Sequence, residues 1–192
     1  MAQNEVTYRI VGESPLLMHN GAMANPLNPL AKQMKEITGL RKKTDEHHIE
    51  LQRLEFRASL YLNEKGQVII PSANIEGTII GGAKKSKLGT SFKSAVMVLE
   101  DPVLEYGEQL TVDELWAKHE TYAFVTPVIV NNSRVMRTRP KFNNWALEFS
   151  CAYDDEQINR EQLTKALRDA GRLVGLCDYR PKFGRFSVVS EE

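Results

Sequence analysis

The segment Trp145–Val189 reads WALEFSCAYDDEQINREQLTKALRDAGRLVGLCDYRPKFGRFSVV, and its changes of period decide the fold. Leu147, Phe149 and Cys151 alternate with Glu148 and Ser150, the two-residue period of a half-buried strand. From about Asn159 to Leu173 the period lengthens. Leu163, Ala166, Leu167, Ala170 and Val174 then share one face of a helix, with Gly171 and Gly175 near its end. A loop carrying Arg180-Pro181-Lys182-Phe183 follows, and Arg185–Val189 predicts a closing strand.

Upstream, Val6, Tyr8 and Ile10 alternate with Thr7, Arg9 and Val11 in a first strand that stops at Gly12 and Ser14-Pro15. A long segment from His19 to about Lys43 carries the turn pairs Asn25-Pro26 and Asn28-Pro29, with a short helix at Leu30–Ile37. Thr44–Ala58 reads as a helix, with Glu46 and Glu50 in the early turns where negative charge is favourable. Leu60–Leu62 and Val68–Ile70 bracket a hairpin turn, and Ser72 is placed to cap a helix bearing Ile75, Ile79 and Ile80. That helix is expected to end at Gly81-Gly82, in a flexible basic loop running to Gly89. Strands are predicted at Ala95–Leu99 and Tyr122–Val130, and Thr111–Glu114 is a capping box. Arg134–Arg139 and Trp145–Tyr153 flank a first Arg139-Pro140-Lys141-Phe142 loop.

Stripped of its insertions the order is βαββαβ, an α+β fold with a ferredoxin-like or RRM-like core. The expected organisation is a single domain, 1–192. It has a core strand at 6–12, a helical insertion at 19–58, and a hairpin and core helix at 60–85. A β-rich elaboration at 94–142 precedes the core strand-helix-strand at 145–189.

Composition narrows the function. Formal net charge is zero across 192 residues, so no global field draws the chain to a polyanion, and the distribution matters more than the sum. Glu100–Glu120 holds seven acids and one lysine, Lys118, whereas Ser133–Ala146 holds Arg134, Arg137, Arg139 and Lys141 without an acid. Lys84, Lys85, Lys87 and Lys93 form another basic run. Cys151 and Cys177 make neither a disulfide framework nor a zinc spacing, so no metal and no cofactor are expected. The polar start and the lack of a long apolar run predict a cytoplasmic protein with no membrane partner.

The repeated tetrapeptide carries the main functional lead. Cations neutralise phosphates and exposed rings stack on bases, so two basic-aromatic loops point to single-stranded RNA or DNA. The expected binding set is Lys84, Lys85, Lys87, Arg134, Arg137, Arg139, Lys141, Phe142, Tyr179, Arg180, Lys182, Phe183 and Arg185. Folding is expected to join these loops into one track. Strand periodicity assigns Trp145 to the core instead. The glycine-rich run beside Lys84 would let backbone N–H groups approach phosphates closely. No aromatic signature of a sequence-reading RRM is present, so binding should be mostly sequence-independent. The competing reading of these cations is a solvated surface.

Three stretches also resemble one family. YRIVGESPLLMHNG at Tyr8–Gly21 looks like the first strand and S-P-L turn of the RAMP superfamily, the repeat-associated RNA-binding proteins of CRISPR effector complexes. VIIPSANIEG at Val68–Gly77 resembles that family's I-P-G-S-S-L-K-G entry into its first core helix. GLCDYRPKFGRFSV at Gly175–Val188 takes the position of its glycine-rich loop. Glu76 stands where the family usually has lysine, Ile80 stands near a usual arginine, and the last loop keeps only Gly175 and Gly184. These departures mark a distant relative, of the kind a phage or mobile element would carry. The resemblance implies RNA rather than DNA, and a homo-oligomer or filament assembled along the strand, with the His19–Lys43 segment reaching a neighbouring copy. It also makes His19 the one catalytic candidate, because some RAMP endonucleases place a histidine after the first strand. The competing role for His19 is a turn histidine.

The expectation is therefore a non-catalytic, self-assembling binder of single-stranded nucleic acid. Two alternatives stand beside it. One is a metal-independent endoribonuclease using His19. The other is an interaction protein whose acidic Glu100–Glu120 stretch mimics phosphate and blocks a host complex.

Overall fold

The alternation of Val6, Tyr8 and Ile10 builds β1 (Gln3–Gly12) in the computed structural model, which describes residues 3–130 and 132–192. In chain order there follow β2 (Leu16–Leu17), α1 (Pro29–Thr38), α2 (Asp45–Ser59) and α3 (Ser72–Ala83). Next come α4 (Gly89–Ala95), β3 (Val96–Val98), α5 (Val112–Ala117), α6 (His119–Tyr122), β4 (Ala123–Val130) and β5 (Ser133–Phe142). β6 (Ala146–Asp154), α7 (Arg160–Leu173) and β7 (Phe186–Glu191) complete the order, with 3₁₀ turns at Gly21–Ala24 and Lys84–Ser86. Polar side chains fix the helix starts: Asn28 before Pro29, Thr44 with His47, Thr111 with Glu114, and Asn159 with Gln162.

The chain divides into two compact units. The first comprises Met1–Leu16, Leu62–Gln109 and Asn143–Glu192. Its sheet has the order β3-β6-β1-β7, every pair antiparallel. Counting these strands along the chain gives 2-3-1-4, the ferredoxin-like arrangement. Val6, Tyr8, Ile10, Leu147, Phe149 and Cys151 alternate onto one buried face. The Tyr8 hydroxyl bonds the Thr164 hydroxyl at 2.8 Å, tying β1 to α7. On other positions of the same strands, Thr7 meets Ser150 and Arg9 forks onto Glu105 at 2.6 and 2.9 Å.

α3 and α7 touch through their backbones. A Cβ on Gly82 would strike the Ala166 carbonyl and lie 2.8 Å from the Ala170 nitrogen, and one on Gly81 would press on Val174. The glycine pair is thus a helix contact. The expected flexible loop from Gly81 to Gly89 is not one: α3 runs through both glycines, the 3₁₀ turn follows, and α4 begins at Gly89. The predicted cap also moves. Ser72 is the first helical residue, and its backbone N–H donates to Asp101 Oδ1 at 2.6 Å, so a remote carboxylate takes the capping role.

The second unit comprises Leu17–Tyr61 and Leu110–Phe142. β4 and β5 form an antiparallel hairpin from Ala123↔Pro140 to Val130↔Ser133, and β2 flanks β5 in a sheet of order β2-β5-β4. The first Arg-Pro-Lys-Phe copy lies inside β5 and is not a loop. Pro140 costs the ladder a donor, yet its carbonyl still accepts from Met18 N at 3.1 Å. α2 covers β5, and the Glu55 carboxylate accepts from Arg137 Nη1 at 2.6 Å and from the Thr138 N–H at 2.9 Å. Phe56 packs on Trp116, and Trp116 stacks on His119. Among the described residues no helix is long and apolar enough to cross a membrane.

Candidate nucleic-acid interface

In the first unit the Ser14-Pro15 turn, the start of α3 and the loop after α7 converge. The loop leaves α7 through Gly175 and returns through Gly184, with φ of 81° and 72°. Neither position admits a side chain. A Cβ on Gly175 would sit 2.6 Å from the Phe183 carbonyl, and one on Gly184 would overlap the Leu176 carbonyl. The loop's neck is closed by Leu176 N–H to Gly184 O at 2.8 Å. Gly184 N–H donates to Pro15 O at 2.9 Å, and Arg185 N–H to Ser14 Oγ at 3.0 Å. Trp145 is buried beneath this turn, its indole N–H donating to Ser14 O at 2.9 Å, as its periodicity predicts. From below, Thr78 Oγ1 donates to Gly175 O at 3.4 Å, and Asn74 lies 3.9 Å from Cys177 Sγ.

On this fixed frame the loop presents a ring and cations. Tyr179 is 48% exposed, and Arg180, Lys182 and Arg185 are exposed. Phe183 is only 9% exposed and meets Tyr179 edge-on at 5.7 Å, so it props Tyr179 and cannot stack on a base itself. Lys182 Nζ stands 6.0 Å from the Phe183 ring centre, and Arg185 Nε donates to Pro181 O at 2.9 Å. The arrangement offers one stacking plane beside three positive charges.

Lys84, Lys85 and Lys87 are exposed on and after the 3₁₀ turn that follows α3. Lys165 of α7 reaches them through Ser86 Oγ at 3.3 Å, a member the sequence could not supply because the contact joins residues 79 apart. α3 and α7 run antiparallel, with Thr78 against Gly175 at one end and Ser86 against Lys165 at the other. The lysines and the glycine-framed loop therefore lie at opposite ends of the helix pair, roughly 12–15 Å apart along it. Within this unit the expected single track becomes two separate basic ends.

The remaining expected residues belong to β5 of the second unit. Arg134 is exposed, Arg137 is held by Glu55, and Arg139 and Lys141 are half-buried on the same strand face as Arg137. Phe142 is 0% exposed and packs on Tyr122 at 6.0 Å. It shares a buried face with Thr138 and Pro140, so its expected stacking role is corrected to core packing.

His47 Nδ1 accepts from Thr44 N–H as part of a cap, and His119 is stacked on Trp116. His19 is exposed, and its carbonyl accepts from the Tyr61 hydroxyl. Burial pushes the Cys151 and Cys177 thiols up to about 12, far from thiolate reactivity at neutral pH. Among the described residues no group of three or more His, Cys, Asp and Glu is placed to hold a metal ion. Several acids of Glu100–Glu120 have structural tasks. Glu100 accepts from Ser150 N–H, Asp101 starts α3, Glu105 binds Arg9 and Glu114 caps α5. Arg9 holds the Glu105 carboxyl below its ordinary value.

No protein-family model matches the chain, and no curated protein matches it. Among solved structures it is similar to the crystal structure of Cmr6 from Pyrococcus furiosus. The identity is 10% and the TM-score 0.44, with 98% of this chain and 100% of that one covered.

Proposed function

We propose that this chain is a non-catalytic protein that binds single-stranded nucleic acid and assembles with copies of itself along the strand. The observation that carries the reading is the loop from Gly175 to Arg185. An exposed Tyr179 ring stands beside Arg180, Lys182 and Arg185 on a backbone pinned at both ends. Only an unpaired strand offers base faces to such a ring, while the cations follow its phosphates whatever the sequence. RNA is preferred over DNA by the resemblance to RAMP proteins alone. Self-assembly rests on the resemblance to RAMP backbone subunits.

The test is a titration of labelled single-stranded RNA, single-stranded DNA and duplex at low salt, read by polarisation and by sedimentation. Single strands should bind more tightly than duplex, and the sedimenting species should grow in steps with strand length. Equal affinity for duplex, or no binding at low salt, would sink the reading. In the same samples without metal the strand should stay intact. Cleavage that disappears in His19→Ala would replace binding with catalysis.

A further inference from the structure

The two basic ends of the first unit lie roughly 12–15 Å apart along the α3–α7 pair, beyond the screening length of about 10 Å at about 0.1 M salt. Taken alone they would act as separate sites. The solvent side of α7 fills the interval. Lys165, Arg168 and Arg172 are exposed, and their spacings of three and four residues put them on one side of the helix. Their successive separations along the axis are about 4.5 and about 6 Å, each inside one screening length. At one end Lys165 meets the lysine turn through Ser86 Oγ at 3.3 Å. At the other, Arg172 lies in the last turn of α7, just before Gly175. A Cβ on Gly175 would come within 3.5 Å of Arg180 Cγ, so the stem of Arg180 rests against the start of the loop.

A merely solvated helix alternates the sign of its exposed charges. Between Lys165 and Arg172 the sequence has a single acid, Asp169, and it is turned under the cations. Its carboxylate accepts from Lys165 Nζ at 2.6 Å and from Arg172 Nη2 at 3.3 Å. The Asp169 side chain is 15% exposed, against 64% for Lys165 and 73% for Arg172. The acid therefore holds two cations side by side and leaves their outer surfaces open. Glu161 lies one turn before Lys165, outside the interval. α7 carries no aromatic residue, so its solvent side can hold phosphates but cannot stack bases. We propose that Lys165, Arg168 and Arg172 carry the phosphates of one single strand from the Tyr179 loop to Lys84, Lys85 and Lys87. The inference rests on the proposed function and extends it from a loop to a path along the unit.

The experiment uses the full chain and two labelled RNAs, a 5′-phosphorylated dinucleotide that fills only the loop and a twelve-nucleotide oligouridylate. Affinity is measured against salt for wild type, Arg168→Gln/Arg172→Gln and Lys84→Gln/Lys85→Gln/Lys87→Gln. The arginine variant leaves Lys165 on Asp169, so no carboxylate is stranded. For the long strand the slope of log affinity against log salt should become shallower by about 1.4 in the arginine variant and by about 2 in the lysine variant. The dinucleotide should bind all three proteins alike, which also shows that the variants are folded. A long-strand slope that responds to the lysines and not to the arginines would mean two separate ends and overturn the path. A slope that responds to neither would confine the strand to the loop, sinking the path and leaving the proposed function standing. An arginine variant that weakens the dinucleotide as much as the long strand would also overturn it. Wild type that binds neither RNA would remove the proposed function itself.

Discussion

Two glycines of α3 separate space from conformation. A Cβ on Gly77 would meet nothing within 4 Å, whereas one on Gly82 would meet the backbone of α7, which cannot swing aside. Gly77→Ala should therefore stabilise by about 0.5–1 kcal/mol through lost chain entropy, and Gly82→Ala should destabilise by about 2–3 kcal/mol through overpacking. Urea unfolding of the two variants reads both signs. At Tyr179 the same distinction separates binding from folding. Tyr179→Ala should cost about 1–3 kcal/mol of single-strand affinity with an unchanged melting temperature, and Tyr179→Phe should retain most of the affinity. Phe183→Ala should instead lower the melting temperature, because its ring is buried under Tyr179. Titration and thermal scans of the three variants decide it.

At the scale of elements, one tetrapeptide adopts two structures. Arg-Pro-Lys-Phe is an extended strand in β5, where Pro140 and Phe142 face the core, and a turn before β7, where Pro181 is exposed. Local sequence does not separate these cases; the neighbours do. In β5 the strand is held to α2 by Glu55, a contact made 83 residues away from Thr138. Glu55→Ala should cost about 2–3 kcal/mol, since it leaves a half-buried guanidinium and a buried N–H without their acceptor. Glu55→Gln should recover part of that loss, and differential scanning calorimetry of the pair checks the order. This pattern also explains what was legible. β1, β6 and α7 each bury one face by a clean period, so their existence and order could be read, and with them the ferredoxin-like plan. The Gly81-Gly82 pair read as a loop because its reason is the closeness of α7, which no local pattern records. Phe142 read as a stacking ring because basic neighbours hide its phase with Thr138 and Pro140. Lys165 could not be read into the site, because its link to Ser86 exists only after folding.

Across the whole molecule, titration reports how the core is built. Burial raises Tyr8 from 10.0 to about 12, and Cys151 from 9.0 to about 12. An acid whose folded value is raised contributes stability that is intact below its unfolded value and is lost as pH rises toward the folded one. Stability should therefore hold to about pH 9 and then fall, with Cys151 alone contributing a loss on the order of 2 kcal/mol by about pH 10.5. Urea midpoints at pH 7 and at alkaline pH measure the drop. The formal charge of zero carries a second consequence. Affinity for a polyanion must come from local cations, and under the proposed function these are the cations of the loop between Gly175 and Gly184. The most direct measurement is the slope of log affinity for single-stranded RNA against log salt, in wild type and in Arg180→Gln/Lys182→Gln. The slope should be shallower by about 1.4 in the double variant, two phosphate contacts' worth for a single strand. An unchanged slope would contradict it.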